Sequence, residues 1–149
     1  MKPLLNQFLQ YLHTERGLSE RTRTAYRRDL EQMAAFLQSE NIENPADVTE
    51  HHVRAFVAQK HRKGLGGKSL QRLLSSIRGF FKWLLRERLV EQNPAASVRA
   101  PKSGRHLPGT LDVDAINQLL DIRETTPLAI RDKAIMELFY SSGLRLSEL

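Results

Sequence analysis

The chain is 149 residues long and carries 23 Lys+Arg against 17 Asp+Glu, with five His and no Cys. That composition excludes a disulfide scaffold and a thiolate metal site, and no apolar run approaches the roughly 20 residues of a membrane span. With 40% apolar and 27% charged residues and a polar N-terminus unlike a signal peptide, it reads as a soluble, cytoplasmic, basic protein.

Helical periodicity runs through the chain and no segment alternates at period two, so the expected fold is all-α. Pro3 suits a first helical turn, and Leu4, Leu5, Phe8, Leu9 and Leu12 follow at helical spacing until Gly17 stops the run. Ser19 is the N-cap of a longer second helix with Tyr26, Leu30, Met33 and Leu37 on one face. Asn44-Pro45 marks a turn, and Thr49 caps a third helix carrying Val53, Phe56 and Val57. Gly64, Gly66 and Gly67 break that helix. A fourth, from about Lys68 to Arg88, should bury Leu70, Leu73, Leu74, Ile77, Phe81, Leu84 and Leu85.

Asn93-Pro94 closes this four-helix unit, which spans 1–92, and a Pro-, Gly- and cation-rich stretch over 93–109 reads as a linker. In the remaining segment, 110–149, Asp112 caps a helix with Val113, Ile116, Leu119 and Leu120. Another helix, from about Pro127 to Ser142, should turn Ile130, Ala134, Ile135, Leu138 and Phe139 inward and stop at Gly143. Forty residues are too few to close a core, so this segment is expected to expose apolar surface.

The charge is uneven. Between residues 54 and 88, ten cations face Glu87 alone, whereas 97–149 is balanced at seven of each sign. Lys68, Arg72, Ser75, Gly79, Lys82 and Arg86 fall on one face of the fourth helix, about 27 Å long and opposite the apolar face. That length approaches the roughly 34 Å of one duplex turn. Ser and Gly at its middle let a backbone come close while the flanking cations grip phosphates. Arg21, Thr24, Arg27 and Arg28 form a second polar face on the second helix. Two such faces suggest a surface resting on double-stranded DNA; the plainer reading is a solvated amphipathic face.

Other patterns weigh less. Gly67-Lys68-Ser69 lacks the upstream glycine of a phosphate loop, having Arg62 there. His51, His52 and His61 lack a completing carboxylate and read as surface residues. Asp112 and Asp114 suit helix capping better than acid–base work, and Trp83 suits edge packing better than base stacking.

Several motifs resemble the tyrosine recombinase (phage integrase) family. They are Leu18-Ser19-Glu20-Arg21-Thr22 leading to Tyr26 and Asp29-Leu30, the glycine turn before the basic helix, Asn93-Pro94, and Pro101-Lys102 with Arg105-His106-Leu107-Pro108. Most specific is Arg131-Asp132 followed by Tyr140-Ser-Ser-Gly-Leu-Arg-Leu-Ser-Glu-Leu149, similar to the box that opens the recombinase active site. The wording is nearest the bacterial Xer group.

The resemblance implies a four-helix, SAM-like core-binding domain that clamps DNA, a linker, and the first helices of an incomplete catalytic domain. It implies Arg145 as the first catalytic arginine, with Glu148 supporting it, and strand exchange through a 3′-phosphotyrosyl link without metal or ATP. It also implies a recombination site as partner, shared with a second Xer subunit in a tetrameric synapse, and no membrane. The family's lysine, His-x-x-Arg box and nucleophilic tyrosine follow the first arginine. His13-x-x-Arg16 and His51-x-x-Arg54 precede Arg145, as do Tyr11, Tyr26 and Tyr140, so none of them qualifies. These 149 residues are therefore expected to bind DNA without cutting it. A stand-alone DNA-binding module, another integrase-family recombinase, and a helical adaptor for an acidic partner are the rival readings.

Overall fold

Helix caps and apolar spacing set the elements of the computed structural model, which describes residues 1–101 and 109–148. They are α1 (Lys2–Thr14), α2 (Glu20–Ser39), a 3-10 turn (Pro45–Asp47), α3 (Glu50–Arg62), α4 (Gly67–Arg86), α5 (Val113–Leu120) and α6 (Pro127–Ser142). Among the described residues there is no strand. The Ser19 hydroxyl accepts from the Thr22 amide at 3.3 Å, starting α2 where the sequence places it. Gly17 and Gly64, with φ of 58° and 84°, hold the left-handed geometry that ends α1 and α3 and turns the chain.

The chain divides into two units, Met1–Gly104 and Arg105–Leu149. In the first, α4 is the common wall: it packs on α1, α2 and α3. Leu70, Leu73, Leu74, Ile77, Phe80, Phe81, Trp83 and Leu84 are buried along it. At 100° per residue these positions cover about half of the helix circumference. Phe8 from α1 sits against Phe80 and Trp83, with ring centroids 5.4 and 5.8 Å away. Phe36 and Phe56 tie α2 to α3 at 5.3 Å. Trp83 is thus part of the aromatic core, deeper than the edge position expected of it. Leu85 departs from the expected core list: it is 42% exposed, in the last turn and at the margin of the apolar arc.

Polar chemistry fixes the chain after α4. Arg88 adopts φ 59°, ending the helix two residues before the expected boundary. Val90, Ala95 and Val98 are buried. The Arg78 guanidinium donates to the Ala95 carbonyl at 3.0 Å and to that of Val98. Asn93 completes the strap, donating to the Arg78 carbonyl at 3.1 Å and accepting from the Ala95 amide at 3.0 Å. Residues 93–98, read from composition as the start of a linker, therefore pack within the first unit, which runs past residue 92.

In the second unit, Asp112 accepts from the Ala115 amide at 2.7 Å and Thr126 from that of Ala129 at 3.2 Å, capping α5 and α6. Gly143 ends α6 with φ 63°. The inward face expected of these helices does not form a core. Ala129 is buried, whereas Val113, Leu119, Ile130 and Leu138 are 64, 55, 59 and 44% exposed, and Ala134 is exposed too. Ile116, Leu120, Ile135 and Phe139 are half-buried. Two helices of 8 and 16 residues have too little surface to cover one another. The Lys102-to-Pro108 part of the linker reading and Leu149 lie outside the described residues.

Three variants test this packing through the fluorescence of Trp83, the chain's single tryptophan. Leu84→Ala should lower the stability of the first unit by about 2–5 kcal/mol and Leu85→Ala by less than about 1 kcal/mol, read as urea midpoints. Arg78→Gln removes charged donors from two carbonyls and should cost about 1–3 kcal/mol on the same assay.

Candidate nucleic-acid interface

The basic face of α4 is built from positions that the apolar arc leaves uncovered, but the cations on it are not equivalent. Lys68, Ser75 and Lys82 are exposed. Among the described residues, neither lysine makes an ion pair. Arg72 reaches back to α2, where its Nη2 donates to Asp29 Oδ1 at 3.1 Å. Arg86 is held at the other end of the helix by Glu15 at 3.2 Å and Glu87 at 3.0 Å, and lies 4.3 Å from the Tyr11 ring centroid. The hydrogen bond to Glu87, reinforced by that to Glu15, pushes the Arg86 pKa further up, so it stays a cation. Gly79 is half-buried, and a Cβ built on it would lie 3.5 Å from the tip of the Phe8 ring. That is ordinary van der Waals contact, so an alanine would fit against α1 there.

On α2, Arg21, Thr24, Arg27 and Arg28 are exposed. Thr24 and Arg27, with Asn6, Gln10, Glu20 and Arg23, line an open polar hollow of about 450 Å³ between α1 and α2. Arg78, counted in the charge run, is half-buried and turns two of its donors to the strap carbonyls. Of the histidines, His52 accepts the Thr49 amide through Nδ1 at 3.1 Å and so caps α3, while His51 and His61 are exposed.

Two residues absent from the sequence reading of the site complete its electrostatics. Asp29 is buried, 3% exposed, with Arg72, Arg28 and Lys60 facing it from α4, α2 and α3. Burial raises its pKa from the ordinary 3.8, and those three cations partly offset the rise. Lys60 bonds Gln32 and lies 5.2 Å from the Phe56 ring centroid. Burial, with Lys63 and Arg28 nearby, lowers its pKa against the pull of Asp29. The available signal was the position of Asp29, an acid next to the Tyr26–Leu30–Met33 stripe and directly after two arginines.

In the second unit, Arg145 and Glu148 form one closed pair. The Glu148 carboxylate accepts from the Arg145 amide at 2.8 Å and from its Nη1 at 2.9 Å. The Arg145 side chain is 82% exposed, so the rest of its fork faces solvent.

Residues 5–88 match the phage integrase N-terminal SAM-like domain, and residues 109–149 match the phage integrase family. Over all 149 residues the chain is 47% identical to the tyrosine recombinase XerC of Xylella fastidiosa (strain 9a5c), covering 51% of that protein. It is 48% identical over 147 residues to XerC of Alcanivorax borkumensis, covering 97% of this chain and 47% of the relative. The chain thus spans about half the length of the curated relatives it matches. The fold is shared with the integrase from mycobacterium phage Brujita, with a TM-score of 0.63 at 21% identity, covering 98% of this chain and 47% of that one. Since the N-terminal match alone takes in the whole helical core and both basic faces, the chain belongs to the phage integrase family.

Proposed function

We propose that this chain is the DNA-gripping N-terminal part of a XerC-like site-specific tyrosine recombinase. The observation that carries this reading is the solvent-facing set of cations on α2 and α4, within the domain that matches the integrase core-binding fold. Lys68, Ser75 and Lys82 would meet phosphates along one strand, with Arg72 and Arg86 beside them. Arg21, Thr24, Arg27 and Arg28 would serve the adjoining stretch of duplex. Contacts of this kind fix position on DNA and supply salt-sensitive affinity, while base edges supply sequence.

Arg145 is the residue through which the second unit would join the chemistry. A planar, permanently charged fork suits a non-bridging phosphate oxygen and the charge that builds on phosphorus during attack. Glu148 accepts one hydrogen bond from that fork and one from the Arg145 backbone amide, which supports a positioning role. In this reading a tyrosine, from the part of the relatives that the chain does not span, attacks the phosphorus. Its oxygen bonds the 3′ phosphate, and the 5′ oxygen leaves with a proton. The whole protein would work in the cytoplasm with a second, XerD-like subunit in a tetrameric synapse, resolving chromosome dimers at cell division.

A salt-titrated gel shift with duplex DNA tests the grip. Affinity should fall steeply with salt, and Lys68→Glu combined with Lys82→Glu should weaken it about tenfold or more and reduce the salt slope by about two. The Trp83 unfolding midpoint should stay within about 0.5 kcal/mol, because neither lysine is buried. Binding indifferent both to salt and to the double reversal overturns the reading.

A further inference from the structure

A carboxylate buried between helices is an expensive way to join them. Asp29 is 3% exposed, one of its oxygens accepts a single hydrogen bond from Arg72, and the other, Oδ2, has no partner among the described residues. An apolar residue there would pack the α2–α4 junction without that cost. Arg72 is the opposite case: its side chain is 40% exposed, and one of its five N–H donors is tied back to Asp29. The result is a guanidinium with a fixed root and an open face, on the helix whose neighbouring positions Lys68 and Ser75 are exposed. A fork fixed in advance loses less freedom on meeting a phosphate than a mobile one.

We propose that Asp29 is a positioning residue that holds the Arg72 guanidinium at the α2–α4 junction so that its remaining donors engage a DNA phosphate. This deepens the DNA-binding reading above and rests on it. Lys60 and Arg28 belong to the same device. They face the carboxylate from α3 and α2 and oppose its protonation, so the anchor survives burial. Because burial still raises the Asp29 pKa above 3.8, the fold takes up its proton more readily than the unfolded chain does. Stability from this group is therefore present below about pH 4 and lost as pH rises through the folded pKa, so at neutral pH the buried charge weakens the fold.

The test uses the 149-residue chain with Asp29→Asn, Arg72→Gln and the double variant, each measured for duplex affinity and for unfolding by Trp83 fluorescence. Asp29→Asn should bind duplex about threefold to tenfold more weakly, with an unfolding midpoint at pH 7 equal to or above that of the parent. Below pH 4 the variant should lose that relative gain. In the Arg72→Gln background, Asp29→Asn should weaken binding no further, since it acts through Arg72. Undiminished affinity in Asp29→Asn or in Arg72→Gln overturns the inference. So does an equal loss with and without Arg72, or a loss matched by a lower midpoint at pH 7. If Lys68→Glu with Lys82→Glu still weakens binding in those cases, the DNA-binding reading stands and only the role of Asp29 falls.

Discussion

The burial of α4 is the constraint on which the first unit depends. One helix supplies the wall against which α1, α2 and α3 all pack, so about half of its circumference must be apolar. Its cations are confined to what is left. This explains why they form a stripe at all: a helix surrounded by three neighbours has one strip of solvent-facing positions, and the charges are concentrated there. A cationic surface and a stable bundle are two readouts of one pattern of side chains.

Being on the strip does not make the cations alike. Arg72 is rooted in a buried carboxylate and Arg86 is caught between two exposed ones over a tyrosine ring, while Lys68 and Lys82 make no ion pair among the described residues. Arginine takes the positions where a fork meets an internal carboxylate. Lysine, a hydrated point charge on a flexible stem, takes the positions without an internal partner. The surface therefore mixes fixed and mobile positive charge, an arrangement suited to gripping a polymer of evenly repeated phosphates.

The helices were legible in the sequence because their stops and caps are local. Ser19, Thr49, Asp112, Gly17 and Gly143 act within four residues of their own positions. What escaped the sequence depended on distant partners. Leu85 reads as core by spacing, yet its exposure is decided by how far the last turn extends along the bundle. Gly79 lies beside Phe8, 71 positions away, a neighbour that spacing along one helix does not reveal. Arg78 belongs to a run of cations by composition, but its acceptors are backbone carbonyls that no periodicity reveals. The pairing of Asp29 with Arg72 joins residues 43 apart. In the second unit the caps were readable, but the inward face was not realised, because two helices lack the partners that would cover it.

The strap formed by Arg78 and Asn93 has a mechanical consequence. Tension on the chain beyond Val98 is not borne first by the last turn of α4, the part most easily unwound. It passes through the carbonyls of Ala95 and Val98 to a guanidinium anchored midway along the helix. A pull that would otherwise peel α4 from its end is met in shear across two hydrogen bonds and the buried side chains of Val90, Ala95 and Val98.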